Sequence, residues 1–157
     1  MDVQDERIPE ERFAEHLAAM PQVCVELVVD GPEGGVLLVK RTNRPAQWEW
    51  FWPGSRLYRG EELEPAARRV AREELGIQVG VRDLLGVQSH FWTETSVEGL
   101  DDRHTVNVVY HVEPVDDDPD IELDDQHSDY RYLREPERGL HEYVQAYIEE
   151  YDLLPES

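Results

Sequence analysis

The sequence has little cysteine, almost no lysine and no long apolar run, and each scarcity excludes a class of protein. Cys24 is the only cysteine among 157 residues, so the chain forms neither an intrachain disulfide nor a zinc site built from cysteines. No apolar run approaches the roughly 18 residues that a membrane-spanning helix needs, and the acidic N-terminus lacks an apolar signal segment. We therefore expect a soluble, cytoplasmic protein.

The charge balance is strongly one-sided. Lys40 is the only lysine, the other basic side chains are arginines, and 36 acidic against 15 basic side chains give a formal charge of −21. A field of this sign repels nucleic-acid phosphates and anionic lipids, so we expect no nucleic-acid or membrane partner. The hydrophobic content of 39% still supplies enough apolar surface for a folded domain.

So large a self-repulsion is tolerable mainly where salt screens it, because the Debye length falls to about 3 Å at 1 M ionic strength. The acid excess and the scarcity of lysine are therefore typical of a halophilic cytoplasmic protein. An acidic protein from an ordinary cytosol remains the alternative.

The apolar periodicity predicts a single α+β domain over 1–157, in which helices surround a mixed β-sheet core. Three segments have apolar residues at helical spacing: 9–20, within an N-terminal extension over 1–20, then 62–75 and 140–151. Five segments alternate apolar residues or aromatics as strands do: 23–29, 36–40, 48–52, 84–92 and 105–113. The connecting segments are expected to be loops: 30–35, 41–47, 93–103 and the acidic 113–125.

A basic segment at 40–60 interrupts the acidic chain. It holds five cations and one acid, Glu49; the cations are Lys40, Arg41, Arg44, Arg56 and Arg59. Guanidinium groups bind phosphate oxygens in bidentate fashion, so the segment suits a small anionic ligand such as a diphosphate. Its aromatic residues are candidates for stacking on a base or sugar, with core packing as the alternative: Trp48, Trp50, Trp52 and Tyr58.

The helix that follows carries Arg69, Arg72, Glu73 and Glu74. Carboxylates at a helix end beside a phosphate site are natural Mg²⁺ ligands, since Mg²⁺ prefers one or two carboxylates together with substrate oxygens and water. Exposed i,i+4 ion pairs are the alternative for an isolated glutamate. Together with the basic segment, the pattern favours a metal-assisted phosphate site.

The loop and helix at 53–77 resemble a Nudix box, whose pattern is G-x5-E-x7-R-E-U-x-E-E-x-G-U with U a bulky aliphatic residue. The matching positions include Glu61, Arg69, Glu73, Glu74 and Gly76, at the family spacing. The resemblance implies the Nudix fold and a hydrolase with a divalent metal, Mg²⁺ or Mn²⁺. In the family, the glutamate and arginine that Glu61 and Arg69 match commonly pair to anchor the loop to the helix.

Three positions of the box differ from the pattern: Ser55 replaces glycine, Ala71 the aliphatic residue, and Val70 the glutamate after the arginine. Positions 70, 73 and 74 are expected to share the helix face on which the family assembles several metal ions. Val70 removes one of the three carboxylates, so we expect fewer ions, down to one.

Further segments resemble one Nudix subfamily, the GDP-mannose mannosyl hydrolases, which lack the same glutamate. The matching stretches lie at 37–47, 50–56, 86–91 and 124–133, within a resemblance that covers about 21–133. In this subfamily water attacks the anomeric carbon of the sugar with inversion, and GDP leaves. The resemblance also implies a homodimer and a nucleotide-sugar substrate.

The same resemblance implies the catalytic residues. His127, in the QHSDY element, matches the general base of the subfamily. Arg41 and Arg56 match the arginines that neutralise the leaving diphosphate. Glu26 stands where the subfamily has an aspartate that assists the site, and its longer side chain is a departure at that position.

The remaining matches concern substrate and metal. His90 matches a substrate-side histidine, and Trp92 stands where a tyrosine is usual. A single Mg²⁺ would be held by Glu74, the side-chain carbonyl of Gln126 and the backbone carbonyl of Gly54. Glu73 has two possible roles near this ion. It would either support the metal ligands or be a remnant of the multi-metal chemistry of the family.

Three other functions remain open from the sequence. An ordinary Nudix pyrophosphohydrolase would cleave a P–O bond of a nucleoside diphosphate derivative; the glutamates of the box favour it and Val70 disfavours it. A Nudix-like nucleotide-binding domain without catalysis is the second, and a housekeeping role on free nucleoside triphosphates is the third.

We predict that activity rises with salt up to molar concentration, because a diphosphate sugar must cross a repulsive field to reach the basic segment. Initial rates measured across a salt series test this. Maximal activity at low salt would contradict both the prediction and the halophilic interpretation.

Overall fold

The computed structural model describes residues 1–155. Its helices are α1 (Glu10–Ala19), α2 (Leu63–Leu75) and α3 (Glu142–Glu150). Its strands are β1 (Gln22–Val29), β2 (Val36–Arg41), β3 (Trp50–Phe51), β4 (Gly54–Arg56), β5 (Val79–Trp92), β6 (Arg103–Pro114) and β7 (His127–Leu133).

The strands form two sheets. The larger has the order β4-β1-β6-β5, in which β1 and β6 are parallel and the other neighbours are antiparallel. The smaller is antiparallel and has the order β3-β2-β7. The register of the parallel pair places Gln22 opposite Thr105 and Cys24 opposite Asn107, so the polar start of β1 lies beside the polar start of β6.

Two apolar cores lie on opposite faces of the strands. Alternate residues of β1 and β2, such as Leu27 and Leu37, pack against α2 together with Val70. Neighbouring residues that point the other way, such as Val28 and Leu38, belong to the core that α3 completes. Strands between two helices confirm the predicted α+β class.

Helix α2 follows the prediction for 62–75 to within one residue, since its signals are local. Its interior is rich in alanine, arginine and glutamate, which favour helix. It ends at Gly76, whose φ of 68° is the left-handed conformation that glycine adopts readily, and whose N–H donates to the Arg72 carbonyl at 3.0 Å. The sharp stop fixes where Glu74 lies.

The predicted strand at 48–52 is wrong at both ends. Only Trp50 and Phe51 are extended, and Trp48 has a φ of 66° and is 59% exposed. A new strand, β4, starts at Gly54, where the sequence indicated an end. The alternating tryptophans imitate a strand pattern, but the chain turns at Trp48 and again near Pro53.

Two further differences concern strands. The sequence indicated the segment of β7 only as part of a motif and not as a strand, because its charged residues obscure the alternation of apolar and polar side chains. In the structure β7 pairs with β2 in the smaller sheet. β5 begins at Val79, five residues before the predicted strand at 84–92. Bulges between Val81 and Asp83 and between Leu84 and Gly86 interrupt the two-residue periodicity of its side chains. The sequence pattern therefore placed the start of this strand too far along the chain.

The final helix confirms the prediction at 140–151, except that it begins at Glu142 and ends at Glu150. Its apolar stripe packs into the second core. Between residues 1 and 155, no helix has the length and apolarity needed to cross a membrane.

Candidate active site

A cavity of about 430 Å³ opens beside the polar ends of β1 and β6. All but one of the side chains and backbone groups predicted for the site line it: Glu26, Arg41, Gly54, Arg56, Glu73, Glu74, His90, Trp92 and Gln126. His127 is the exception, since its ring is enclosed beside Glu74 rather than open to the cavity. The structure therefore brings residues from position 26 to position 127 to one place.

Glu74 occupies the buried end of this cavity. It is 5% exposed, and its Oε1 accepts a hydrogen bond of 3.0 Å from the backbone N–H of Gly54. Burial, reinforced by the negative charge of Asp124, raises the pKa of Glu74 to about 8. The charge of Arg41 offsets this only in part, and no arginine or lysine among residues 1–155 forms an ion pair with Glu74, so a bound cation would stabilise the charged carboxylate.

The surroundings of Glu74 fit a divalent ion that prefers oxygen ligands. Asp124 and Gln126 line the same end of the cavity, so carboxylate and amide oxygens converge there. No three acidic, histidine or cysteine side chains group together as a metal cluster within residues 1–155. Because Asp124 is engaged by His127 Nδ1 at 2.6 Å, an ion here would take its ligands from Glu74 and from neutral oxygens such as those of Gln126 and the Gly54 backbone.

His127 is oriented by a second acidic residue. Its Nδ1 lies 2.6 Å from Asp124 Oδ1, and its Nε2 is buried, has no hydrogen-bond partner among the described residues, and lies 3.9 Å from Glu74 Oε1. With the Nδ1 proton donated to Asp124, Nε2 carries a lone pair. This is the arrangement that makes an imidazole a base on one defined nitrogen.

Glu73 points away from Glu74. Its side chain is 51% exposed, and its Oε2 accepts a hydrogen bond of 2.9 Å from Arg69 Nη1. Arg69 also donates to Glu61 Oε2 at 2.6 Å, so the expected pair between loop and helix is present. Of the two roles left open for Glu73, its contact with Arg69 favours a supporting one.

Positions 70, 73 and 74 of α2 differ in how far they are exposed. Val70 is fully buried in the core against the sheet, Glu74 is buried one turn later, and Glu73 lies at the half-exposed edge. A helix turns about 100° per residue, so the three positions lie within about 100° on one side of α2, with Val70 between the two glutamates. Only Glu74 directs a carboxylate from α2 into the buried end of the cavity.

A buried network links β1 to α3. The Tyr147 hydroxyl donates to Glu26 Oε1 at 2.5 Å and lies 2.9 Å from His90 Nε2. Burial raises the pKa of Glu26 to about 7, opposed by the Tyr147 hydrogen bond, and burial with the charge of His141 lowers the pKa of His90 to about 4. His90 is therefore neutral at pH 7, whereas the pKa of Glu26 lies close to pH 7.

The basic segment divides between cavity and surface. Arg41, Arg44 and Arg56 line the cavity, whereas Lys40 lies over the ring of Trp50. The Nε of Arg41 donates to the Pro45 carbonyl at 2.7 Å, which holds the guanidinium in place. Burial lowers the pKa of Arg41, opposed by the charge of Glu74.

The aromatic residues divide in the same way. Trp52 is 1% exposed and stacks on Tyr147 with ring centroids 5.6 Å apart. Of the two alternatives for this residue, packing in the core is therefore the one observed. Trp48 is exposed on the surface turn. Tyr58 lines the cavity, with the guanidinium of Arg56 4.6 Å from its ring centroid.

Three site residues escaped the sequence reasoning: Asp124, Tyr147 and Arg103. Asp124 opens the motif at 124–133 and stands three residues before His127, so its spacing offered a signal. Tyr147 belongs to an apolar helical stripe, in which nothing distinguishes a polar contact. Arg103 stands outside the basic segment and meets the cavity only through the pairing of β6 with β1.

The raised pKa of Glu74 predicts a pH-dependent stability of the metal-free protein. The unfolded carboxyl titrates near 4.5 and the folded one near 8, so between these pH values the folded state binds more protons. The stability contributed by this proton is complete below pH 4.5 and is lost as pH rises towards 8. Urea unfolding of wild type and Glu74→Gln, with chelator and constant salt, measures the difference.

We expect the unfolding free energy of wild type relative to Glu74→Gln to fall by at least about 1 kcal/mol between pH 5 and 8. Mg²⁺ added at pH 8 restores stability to wild type only. Glu149→Gln, an exposed control on α3, leaves the pH dependence unchanged. A difference between wild type and Glu74→Gln that does not vary with pH would contradict the assignment.

The network at Glu26 predicts a cost for removing one hydroxyl. Tyr147→Phe leaves Glu26 without its donor in a buried place, which costs about 1–3 kcal/mol of unfolding free energy. Tyr130→Phe is the matched control, since Tyr130 is 38% exposed. Equal stability of the two variants would show that the hydroxyl contact with Glu26 is unimportant.

Comparison with known proteins places this site in a family. A model of the NUDIX domain matches residues 20–151. The "Low-salt glycan biosynthesis protein Agl8" of Haloferax volcanii is 42% identical over 146 residues, which cover 93% of this chain and 92% of that protein. An ADP-ribose pyrophosphatase of Methanocaldococcus jannaschii is 36% identical over 69 residues, 44% of this chain and 40% of that protein.

Solved structures share the fold. The MutT protein of Methanosarcina mazei Go1 superimposes with a TM-score of 0.67 at 22% identity, over 84% of this chain and 94% of that one. The MutT NUDIX hydrolase of Burkholderia pseudomallei gives 0.59 at 26% identity, over 83% and 98%. With the box helix α2 and the matched range 20–151, the chain belongs to the Nudix hydrolase family.

Proposed function

We propose that the protein hydrolyses a nucleoside diphosphate sugar, of the GDP-mannose or GDP-glucose type, to GDP and free hexose by attack of water at the anomeric carbon. The observation that carries the proposal is the Asp124–His127 pair, whose free Nε2 lies beside Glu74. Hydrolysis at carbon needs a base near the sugar and charge neutralisation on the departing diphosphate, and the cavity offers both.

His127 is the proposed general base. Asp124 holds Nδ1 protonated and fixes the ring plane, so that Nε2 takes the proton from the attacking water. Asp124 also stabilises the imidazolium formed by this transfer. In the free protein the ring is enclosed, so substrate binding has to open a path for water to Nε2.

The proposed metal ligands are Glu74, the Gln126 amide oxygen and the Gly54 carbonyl, with Glu73 placed to hold Arg69. Mg²⁺, or Mn²⁺ in its place, supplies positive charge next to the diphosphate when bound. Glu74 contributes the only carboxylate from α2 at the buried end of the cavity. This favours one ion, because a multi-metal site would need a carboxylate where buried Val70 stands.

The arginines of the cavity act on the leaving group. Arg41, positioned by the Pro45 carbonyl, and Arg56, positioned by the Glu6 carbonyl at 3.2 Å, each keep further N–H donors for phosphate oxygens. Charge builds on the diphosphate as the carbon–oxygen bond breaks, so fixed cations stabilise the transition state more than the ground state.

The sugar is proposed to lie against Glu26, His90 and Trp92. His90 is stacked on Tyr143 with ring centroids 3.9 Å apart and has Trp92 edge-on at 5.8 Å, so its position is fixed. Glu26, held by Tyr147, offers a carboxyl group to sugar hydroxyls. A set of rigid polar groups of this kind distinguishes hexoses by the configuration of single hydroxyls.

A relative named for glycan biosynthesis, aligned over nearly all of both chains, supports a sugar-bearing substrate. A second candidate is a pyrophosphohydrolase that cleaves the P–O bond. The ADP-ribose pyrophosphatase supports it over 44% of this chain, and so does the presence of Glu61 and Glu73. The buried Val70 and the outward Glu73 weigh against it.

The proposal includes a homodimer. β5 is an edge strand of the larger sheet and exposes Leu84, Val87 and Phe91 on a surface that is otherwise highly charged. Apolar side chains along an open edge of this length are typical of a surface covered by another chain.

Isotope labelling tests the reaction directly. In ¹⁸O-water, attack at carbon places the label in the hexose and leaves GDP unlabelled, whereas attack at phosphorus places it in a phosphate. We expect labelled mannose and unlabelled GDP from GDP-mannose. Release of GMP and mannose 1-phosphate would refute the proposal and support the pyrophosphohydrolase.

His127→Gln tests the base. We expect turnover to fall by about 10² to 10⁴, the usual contribution of a general base, while Mg²⁺-dependent binding of GDP stays measurable. His16→Gln is the control, because His16 lies exposed on α1. Similar rates in the two variants would exclude His127 as the base.

A further inference from the structure

We propose that Arg103 is a third anion-binding group of the cavity, which takes an oxyanion of the substrate in addition to those bound by Arg41 and Arg56. The inference deepens the proposed function and rests on it for the identity of the substrate. The oxyanion has two possible sources, the diphosphate itself or a carboxylate on the hexose, and the experiment below separates them.

The position of Arg103 is set by the sheet. It is the first residue of β6 and lies on the same side as Thr105 and Asn107, which also line the cavity. The parallel register pairs Gln22 with Thr105, so Arg103 lies beyond the start of β1, at the end of the cavity away from Glu74.

Only neutral groups hold the guanidinium. One Nη donates to the Gln22 side-chain oxygen, and the guanidinium carbon lies 5.9 Å from the ring centroid of Phe13 on α1. The Nε is buried and lacks a hydrogen-bond partner in the described part of the chain. At least one donor of this arginine is therefore buried and unused, which costs free energy unless a ligand accepts from it.

No carboxylate within residues 1–155 approaches Arg103 to within 4.0 Å. Arg69, another arginine largely removed from solvent, is bound by Glu61 and Glu73. With 36 acidic side chains available, a half-buried arginine without an acidic partner stands out. Buried charges are normally paired, so the missing anion is expected from outside the chain.

Arg103 and Arg41 also act on each other. Both line the cavity, burial lowers the pKa of both, and the positive charge of Arg103 further lowers the pKa of Arg41. Two cations in one poorly solvated cavity repel, and an anion bound between them turns this repulsion into attraction. Arg56 on β4, level with Cys24 of β1, and Arg44 also line the cavity, which therefore has four guanidiniums on its wall.

The charge of Arg103 reaches towards the centre of the cavity. It acts on Arg41 and on Cys24, and the charge of Glu74 acts on the same two residues. A single ligand in the cavity can therefore meet both the Glu74 end and the arginines.

Equilibrium binding with Mg²⁺ at constant high salt tests the proposal. The probes are GDP, GDP-mannose, UDP-glucose and UDP-glucuronate; the last two differ only in a carboxylate on the hexose. The variants are Arg103→Gln, Arg103→Lys, which keeps the charge without the fork, and Arg82→Gln. Arg82 is a charge-matched control, since it lies outside the cavity and pairs with Glu113 at 3.2 Å.

We expect Arg103→Gln to weaken binding about tenfold or more, Arg103→Lys to lose less, and Arg82→Gln to change it by about twofold at most. Equal losses for all four probes assign the oxyanion to the diphosphate. A loss confined to UDP-glucuronate, which wild type then binds more tightly than UDP-glucose, assigns it to a sugar carboxylate.

Affinities of Arg103→Gln within twofold of the Arg82→Gln control for every probe would overturn the inference. Failure of wild type to bind any of the four probes would overturn the proposed function and the inference together. Loss of binding in Arg103→Gln combined with cleavage at phosphorus would overturn the proposed reaction and leave the role of Arg103 standing. Thermal unfolding of each variant confirms that the fold is kept.

Discussion

The guanidinium of Arg69 connects the loop after β4 to helix α2, and the site depends on this connection. It donates to both carboxylate oxygens of Glu61, at 2.6 and 2.8 Å, and to the Arg56 carbonyl at 2.9 Å. Burial opposes ionisation of Glu61, but the hydrogen bonds from Arg69 outweigh it and lower the pKa of Glu61, so the pair stays charged. The loop is thereby fixed to the helix, and Gly54 on β4 can meet Glu74 near the helix end.

The interior reverses the charge pattern of the surface. Most of the acidic side chains are exposed, whereas Arg41, Arg56 and Arg103 line the cavity. The buried acids Glu26 and Glu74 have raised pKa values, near 7 and 8, and so contribute less negative charge there than two ordinary carboxylates would. A molecule with a strongly negative net charge can therefore bind an anion, because affinity depends on the local field inside the cavity rather than on the total.

Features encoded locally were predictable from the sequence. Helix α2 follows from its helix-favouring residues and from Gly76, and the box spacing indicated Glu74. Contacts between distant segments were not predictable: Tyr147 reaches Glu26 across 121 positions, and nothing in an apolar helical stripe reveals this. The sequence did not place Arg103 in the site, because its position beside the cavity depends on the pairing of β6 with β1. The motif spacing also did not show that Glu73 is half exposed and bound to Arg69 while Glu74 is buried, because burial depends on what packs against each side of α2.

The parallel pairing of β1 with β6 affects how the protein is made. Chains emerge from the ribosome N-terminus first. The antiparallel partner of β1 is β4, at Gly54–Arg56, whereas its parallel partner is β6, at Arg103–Pro114. A nascent chain that has emerged only as far as β6 already holds Arg41, Arg44, Arg56 and Arg103, the four arginines of the cavity. It lacks the Asp124–His127 pair and Tyr147. The groups proposed to bind the anion are thus synthesised before the groups proposed for catalysis.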